Sequence, residues 1–145
     1  MGGLKPRGAK AKGDNYEREL AKYFNDELFN GQPLVFRAPL SGGGRNIGGG
    51  GQADLNGTPN VWVEAKRTEK FQPYSAMEQA EKGIENSGSA EMPVVINRRN
   101  QMSTGESLVT MRLSDWINIY YQYLSLNGVD MRDDRDDPFA VASEK

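Results

Sequence analysis

The sequence predicts an α/β fold in which a central mixed β-sheet is flanked by α-helices. Two observations carry this. Segments with helical and strand periodicity follow one another in the order α, β, β, β, α, β, β, α, and that mixture of hairpin-length and helix-length connections suits a mixed sheet covered by helices. The chain also has 145 residues, 37% of them hydrophobic, enough for one modest core and too few for two ordinary domains. The expected organisation is a flexible basic arm over 1–13, one domain over 14–127 and a weakly ordered acidic tail over 128–145.

Residues 1–13 are basic and rich in Gly and Pro, the composition of a flexible arm. From Asp14 to about Phe29 the chain reads as a helix, with Asp14 as its cap and Tyr16, Leu20, Tyr23, Phe24 and Leu28 at helical spacing. On a helical wheel Glu17 falls inside that apolar arc, whereas Arg18, Lys22, Asn25 and Asp26 lie opposite. A carboxylate there either snorkels out at the edge of the arc or is carried to a functional site. Pro33 to Pro39 reads as a short strand bearing Arg37. Seven of the ten residues from Gly42 to Gly51 are glycine, so no regular element persists there. The segment is either a loose hairpin connection or a loop that embraces a ligand. It is no Walker loop, because no Gly-Lys-Ser/Thr ends it and no helix follows.

Gln52 to Leu55 and Val61 to Lys66 are expected to pair as a hairpin across a turn at Asn56 to Asn60. A polar helix follows from about Pro73 to Asn86. Pro93 to Ile96 and Leu108 to Met111 read as two further strands. Ser114 is positioned to cap a last helix running to about Leu126, in which Trp116 and Tyr120 are expected to pack into the core, with an interface role as the alternative. No internal repeat is present.

Composition narrows the chemistry by exclusion. The chain has no histidine and no cysteine, which removes triads that need an imidazole base and zinc sites built from nitrogen and sulfur. Hard oxygen ligands remain, and these favour magnesium or manganese. The absence of cysteine fits a reducing compartment, and no stretch nears the roughly 20 apolar residues of a membrane span. A soluble cytoplasmic protein, in a prokaryote or a phage-infected host cell, is the expectation. The net charge of -2 is unevenly distributed. Lys5, Arg7, Lys10 and Lys12 lie in the first twelve residues without an acid, while Asp130, Asp133, Asp134, Asp136 and Asp137 crowd the C-terminus. A local basic surface able to meet phosphates is therefore compatible with an acidic total.

The pattern with the most chemistry in it is Asp54, nine intervening residues, then Glu64, Ala65 and Lys66. On a strand alternate side chains share a face, so Glu64 and Lys66 point the same way and Ala65 points to the other side. An aspartate on a neighbouring strand can meet them. Two carboxylates and a lysine so arranged suit metal-dependent phosphodiester hydrolysis, in which a divalent ion neutralises phosphate charge and acidifies an attacking water. A single acid-x-Lys is weak evidence, since about one is expected by chance in a chain of this composition. Its weight comes from the upstream Asp54, the apolar approach through Val61 and Val63, and the leading helix with its misplaced Glu17.

Together these residues resemble the PD-(D/E)xK nuclease superfamily, which implies a restriction-endonuclease-like core. Lys12 and Gly13, then Glu17, Arg18, Glu19 and Leu20, resemble the opening of the archaeal-type and phage Holliday junction resolvases, and Arg37 and Ser41 are similar to that family's Arg and Ser before the aspartate. The resemblance covers roughly residues 12–97. It implies Glu17, Asp54 and Glu64 as the acidic metal-site residues, the main-chain carbonyl of Ala65 as a further ligand, and Lys66 as the residue that positions or deprotonates water. It implies phosphate contacts from Arg18, Arg37 and Ser41, with Lys12, Arg45 and Arg67 as further DNA-binding candidates. It also implies Mg2+ as cofactor, with Mn2+ as a substitute, branched DNA as substrate, and a homodimer, because two symmetric nicks need two active sites. Gln52 and Ala53 depart from the family where a proline often precedes the aspartate.

Two other functions are compatible with the same residues. An end-processing or restriction-like nuclease is one, since Gln79 resembles the start of a Gln-x-x-x-Tyr motif, although Gly83 stands where tyrosine would be. A non-catalytic DNA-binding module of the same fold is the other, and it would bind in a salt-sensitive way without cleaving.

Overall fold

Helix α1 (Gly8–Leu28) opens the fold, and the computed structural model describes residues 8–39 and 52–131. The first seven residues, Ser41, Arg45, the Gly42–Gly51 loop and the tail from residue 132 onward lie outside the described residues. The helix starts six residues before Asp14, so that Asp14 stands inside it and does not cap it, and residues 8–13 are helical where an arm was expected. Ala9, Lys10, Ala11 and Lys12 are strong helix formers, which outweighs the glycines at 8 and 13. Tyr16, Leu20 and Ala21 are buried, while Tyr23 and Leu28 are exposed.

Asn25 is also buried, contrary to its place on the polar side of the wheel. Its amide replaces a strand neighbour: Nδ2 donates to the Val35 carbonyl and Oδ1 accepts from the Val35 N–H, both at 2.8 Å. That occupies both backbone groups of Val35. Pro33 and Pro39 have no N–H to offer, and the strand expected over 33–39 is accordingly only β1 (Phe36–Arg37).

β1 pairs antiparallel with β2 (Leu55–Asn56), placing Arg37 opposite Leu55. The expected hairpin between 52–55 and 61–66 is thus replaced by a two-stranded sheet with β1. Gly57 explains the path. Its φ is +89° and a Cβ there would lie 2.0 Å from the Leu34 carbonyl oxygen, so the chain turns tightly against the β1 approach in a conformation that glycine tolerates.

β3 (Val61–Lys66), β4 (Met92–Asn97) and β5 (Leu108–Thr110) form a three-stranded mixed sheet in that order. β3 and β4 are parallel, with Glu64 opposite Val95 and Lys66 opposite Asn97; β4 and β5 are antiparallel. Helix α2 (Pro73–Ser87) makes the crossover between β3 and β4. The near-continuous apolar run of β4 reflects cover on both faces. On one side Val63, Val94 and Ile96 pack with Tyr16 and Leu20 of α1, and on the other Val95 packs with Ala76 and Met77 of α2. Trp62 also lies against α2: a Cβ at Gly83 would come within 2.6 Å of its ring.

The chain separates into two compact units, Met1–Met111 and Arg112–Lys145. The second contains α3 (Leu113–Leu126), whose N-cap is Arg112, so Ser114 falls within the first turn. None of its residues is buried. Trp116 and Tyr120, expected in a core, are 43% and 38% exposed and stack on each other at 4.7 Å between ring centroids. Among the described residues no helix is long and apolar enough to cross a membrane.

The Asn25 bridge makes a specific demand on stability. Asn25→Leu removes both partners of the Val35 backbone and is expected to cost about 2–4 kcal/mol, read as a lower denaturant midpoint with an unchanged slope.

Candidate functional site

Trp62, Glu64 and Lys66 share the β3 face that looks toward α2, as strand alternation requires. Glu64 is 7% exposed. Its Oε2 lies 3.9 Å from Lys66 Nζ, too far for a good direct hydrogen bond. The gap is bridged by Gln79 on α2, which accepts from Lys66 Nζ at 2.7 Å and donates to Glu64 Oε2 at 2.9 Å.

Asp54 reaches β3 at the seam between the two sheets. Its backbone N–H donates to the Val63 carbonyl, and its Oδ2 accepts from the Ala65 N–H, both at 2.8 Å. The N–H and C=O of one strand residue point to the same edge, so the Ala65 carbonyl is directed to the edge that Asp54 occupies. Glu17 comes from α1, one turn after Asp14. Both are held by Arg37, whose Nε donates to Glu17 Oε1 at 3.0 Å and whose Nη2 donates to Asp14 Oδ1 at 2.8 Å.

Glu17, Asp54 and Glu64 share one electrostatic environment. Burial, followed by the charge of Asp54, pushes both Glu17 and Glu64 up to about 7. Burial raises Asp54 as well, against the opposing pull of the Ala65 N–H, Lys66 and Arg37. Glu17 and Asp54 are near enough to act on one another electrostatically. The buried Trp62 indole N–H has no partner within hydrogen-bonding geometry, yet it lies near enough to Glu64 to favour its anion. Acids crowded in this way are stabilised by a bound proton or by a cation.

The donor set suits a hard divalent cation. Carboxylate oxygens from Glu17, Asp54 and Glu64 and the Ala65 carbonyl match the ligand preference of Mg2+ or Mn2+. Among the described residues, no three acids already converge as a preformed cation cage; Glu17 leans to Arg37 and Glu64 to Gln79.

The candidate basic residues distribute differently. Arg37 is turned inward to the acids. Arg18 is exposed, bonded to Asn15, and lines a groove of about 410 Å³ with Lys22, Phe36 and Arg37. Lys12 is exposed on α1. Arg67 is drawn to Asn100 at 2.7 Å and to Glu69 at 3.4 Å. Two participants escape the sequence reading, which takes Asp14 for a cap and Gln79 for part of an exonuclease motif. Asp14 shares the face of Glu17 by its three-residue spacing, a legible signal. Gln79 adjoins the buried Ala76 and Ala80 stripe of α2, and only the packing of that helix on β3 reveals its partners. The Trp62 ring beside Gly83 leaves no room for the tyrosine of the exonuclease motif.

Compared with known proteins, the chain matches no protein-family model, no curated protein and no solved structure.

The raised acids set a pH dependence. Glu17 and Glu64 hold a proton more tightly in the folded than in the unfolded chain, where 4.5 is ordinary. Their stabilising contribution is complete below that value and lost as pH rises through about 7. Thermal melts without divalent ions should show a melting temperature that declines from pH 5 to pH 8. Glu64→Gln should flatten the decline, and millimolar Mn2+ should oppose it at pH 8 in the parent chain but not in Asp54→Asn.

Proposed function

We propose that this chain is a metal-dependent DNA endonuclease that acts on branched, four-way-junction DNA, built on a restriction-endonuclease-like core. The observation that carries the reading is the electrostatic coupling of Glu17, Asp54 and Glu64, drawn from three separate elements with Lys66 acting on two of them, and with burial and mutual repulsion holding Glu17 and Glu64 near 7. A surface ion pair on an exposed strand would make no such demand on Asp54 or Glu17. Perturbed acids from separate elements, gathered next to one cation, are the pattern of a site in which charge is meant to be handled.

Glu17, Asp54, Glu64 and the Ala65 carbonyl would hold Mg2+ or Mn2+. When bound, such an ion offsets phosphate charge and lowers the pKa of a water. Asp54 keeps its ligand oxygens fixed through the Ala65 N–H. Lys66 directs its ammonium beside Glu64, where it can orient a water or stabilise charge developing on the phosphate. Arg37 links the acids to the groove that Arg18 lines and so stands between the cutting site and a backbone phosphate track. Symmetric nicking of a junction would call for a homodimer, and a cytoplasmic location fits the cysteine-free composition.

The test is cleavage of a labelled four-way junction beside a matched linear duplex, with Mg2+ or Mn2+. Paired nicks confined to the junction are expected, with the rate falling about 10²–10⁴-fold in Lys66→Ala and to background in Asp54→Asn. Equal cutting of both DNAs would remove the junction preference. Salt-sensitive binding with no cleavage under either ion would mark a non-catalytic module.

A further inference from the structure

A lysine and a glutamate two residues apart on one strand face would ordinarily close into a direct ion pair. Here they do not. Lys66 Nζ stays 3.9 Å from Glu64 Oε2 while its short bond, at 2.7 Å, goes to Gln79. The amide is matched in polarity to both neighbours: its carbonyl oxygen accepts from the ammonium, and its NH2 donates to the carboxylate at 2.9 Å. A side chain of one charge could not serve both partners. A carboxylate at position 79 would repel Glu64, and an ammonium would repel Lys66.

The bridge spans two elements with a fixed relationship. β3 supplies Glu64 and Lys66, and α2 is locked to that face by Ala76 and Met77 and by the Trp62 ring against Gly83. Lys66 keeps a side chain that is 29% exposed and, with Gln79, lines a cleft of about 160 Å³ together with Thr68, Lys70 and Ser75. The ammonium is thus held without being buried, and it remains able to reach a substrate.

From this geometry we infer that Gln79 is a positioning residue, which keeps Lys66 off Glu64 so that the carboxylate is free to take a cation and the ammonium is free to address the phosphate or water. The inference rests on the nuclease reading. With an apolar side chain at 79, Lys66 collapses onto Glu64 and each neutralises the group the chemistry needs.

Two measurements on the full chain test it. The first is the exchange of the Lys66 ammonium protons, followed by 1H–15N NMR and assigned with Lys66→Arg. A held ammonium exchanges slowly enough to be seen. The second is the kinetics of junction cleavage in Gln79→Leu, Gln79→Glu and the parent chain. The Lys66 signal is expected to change in shift and exchange rate in Gln79→Leu, with kcat down about 10- to 100-fold and KM little changed. Gln79→Glu keeps an acceptor for the ammonium and is expected to preserve the slow exchange of Lys66, which separates the bond to Lys66 from the mere filling of space by residue 79. An unchanged Lys66 signal in Gln79→Leu, or an unchanged kcat in a folded variant, overturns the inference. A parent chain that cuts nothing, but whose Lys66 signal still depends on Gln79, overturns the nuclease reading and leaves the clamp standing.

Discussion

The interaction on which the rest depends is the attachment of Asp54 to β3. Its backbone N–H meets the Val63 carbonyl and its side chain meets the Ala65 N–H, so one residue stitches a two-stranded sheet to a three-stranded one. Without it the β1 and β2 pair would be held beside β3 only by the core packing of Val35 and Leu55 and by the Asn25 bridge. With it, Arg37 on β1 is brought over α1, where it gathers Asp14 and Glu17. The same bond puts a carboxylate at the edge where Glu64 and Lys66 emerge. Fold and site therefore share a joint.

That joint carries an electrostatic penalty. Glu64 is nearly buried and Asp54 is close enough to raise its proton affinity, while Asp54 also acts on Glu17 across the seam. The surroundings answer with donors: Arg37 for Glu17, the Ala65 N–H for Asp54, and Gln79 for Glu64. These are neutral or shared groups except for Arg37, so they orient the acids without cancelling them. A site whose acids were fully neutralised by lysines or arginines would have little use for a divalent ion. The arrangement leaves charge over for a ligand to satisfy.

Much of this was legible from residue pattern. The alternation along Val61 to Lys66 places Glu64 and Lys66 on one face, and the order of helices and strands is that of the structure. Glu17 on an apolar helical arc is a visible anomaly, and in the structure it is half-buried, bonded to Arg37 and within the electrostatic reach of Asp54. What escaped was set by long-range pairing. β2 chose β1 because of the tight turn at Gly57 and the engagement of Val35 by Asn25, a contact across ten residues that no local period announces. The start of α1 is not marked by Asp14, a good cap by type, because Ala and Lys upstream propagate the helix past it. Trp116 and Tyr120 show the limit of inferring burial from aromaticity: a helix can carry an aromatic stripe and bury none of it.

The most direct measurement of the central claim is calorimetric titration of the full chain with Mn2+ near pH 7, in two buffers of different ionisation heat. Cation binding to acids held near 7 must displace protons. The account predicts saturable binding that releases about one proton and disappears in Asp54→Asn. Binding that is absent, that persists unchanged in Asp54→Asn, or that releases no proton would contradict it.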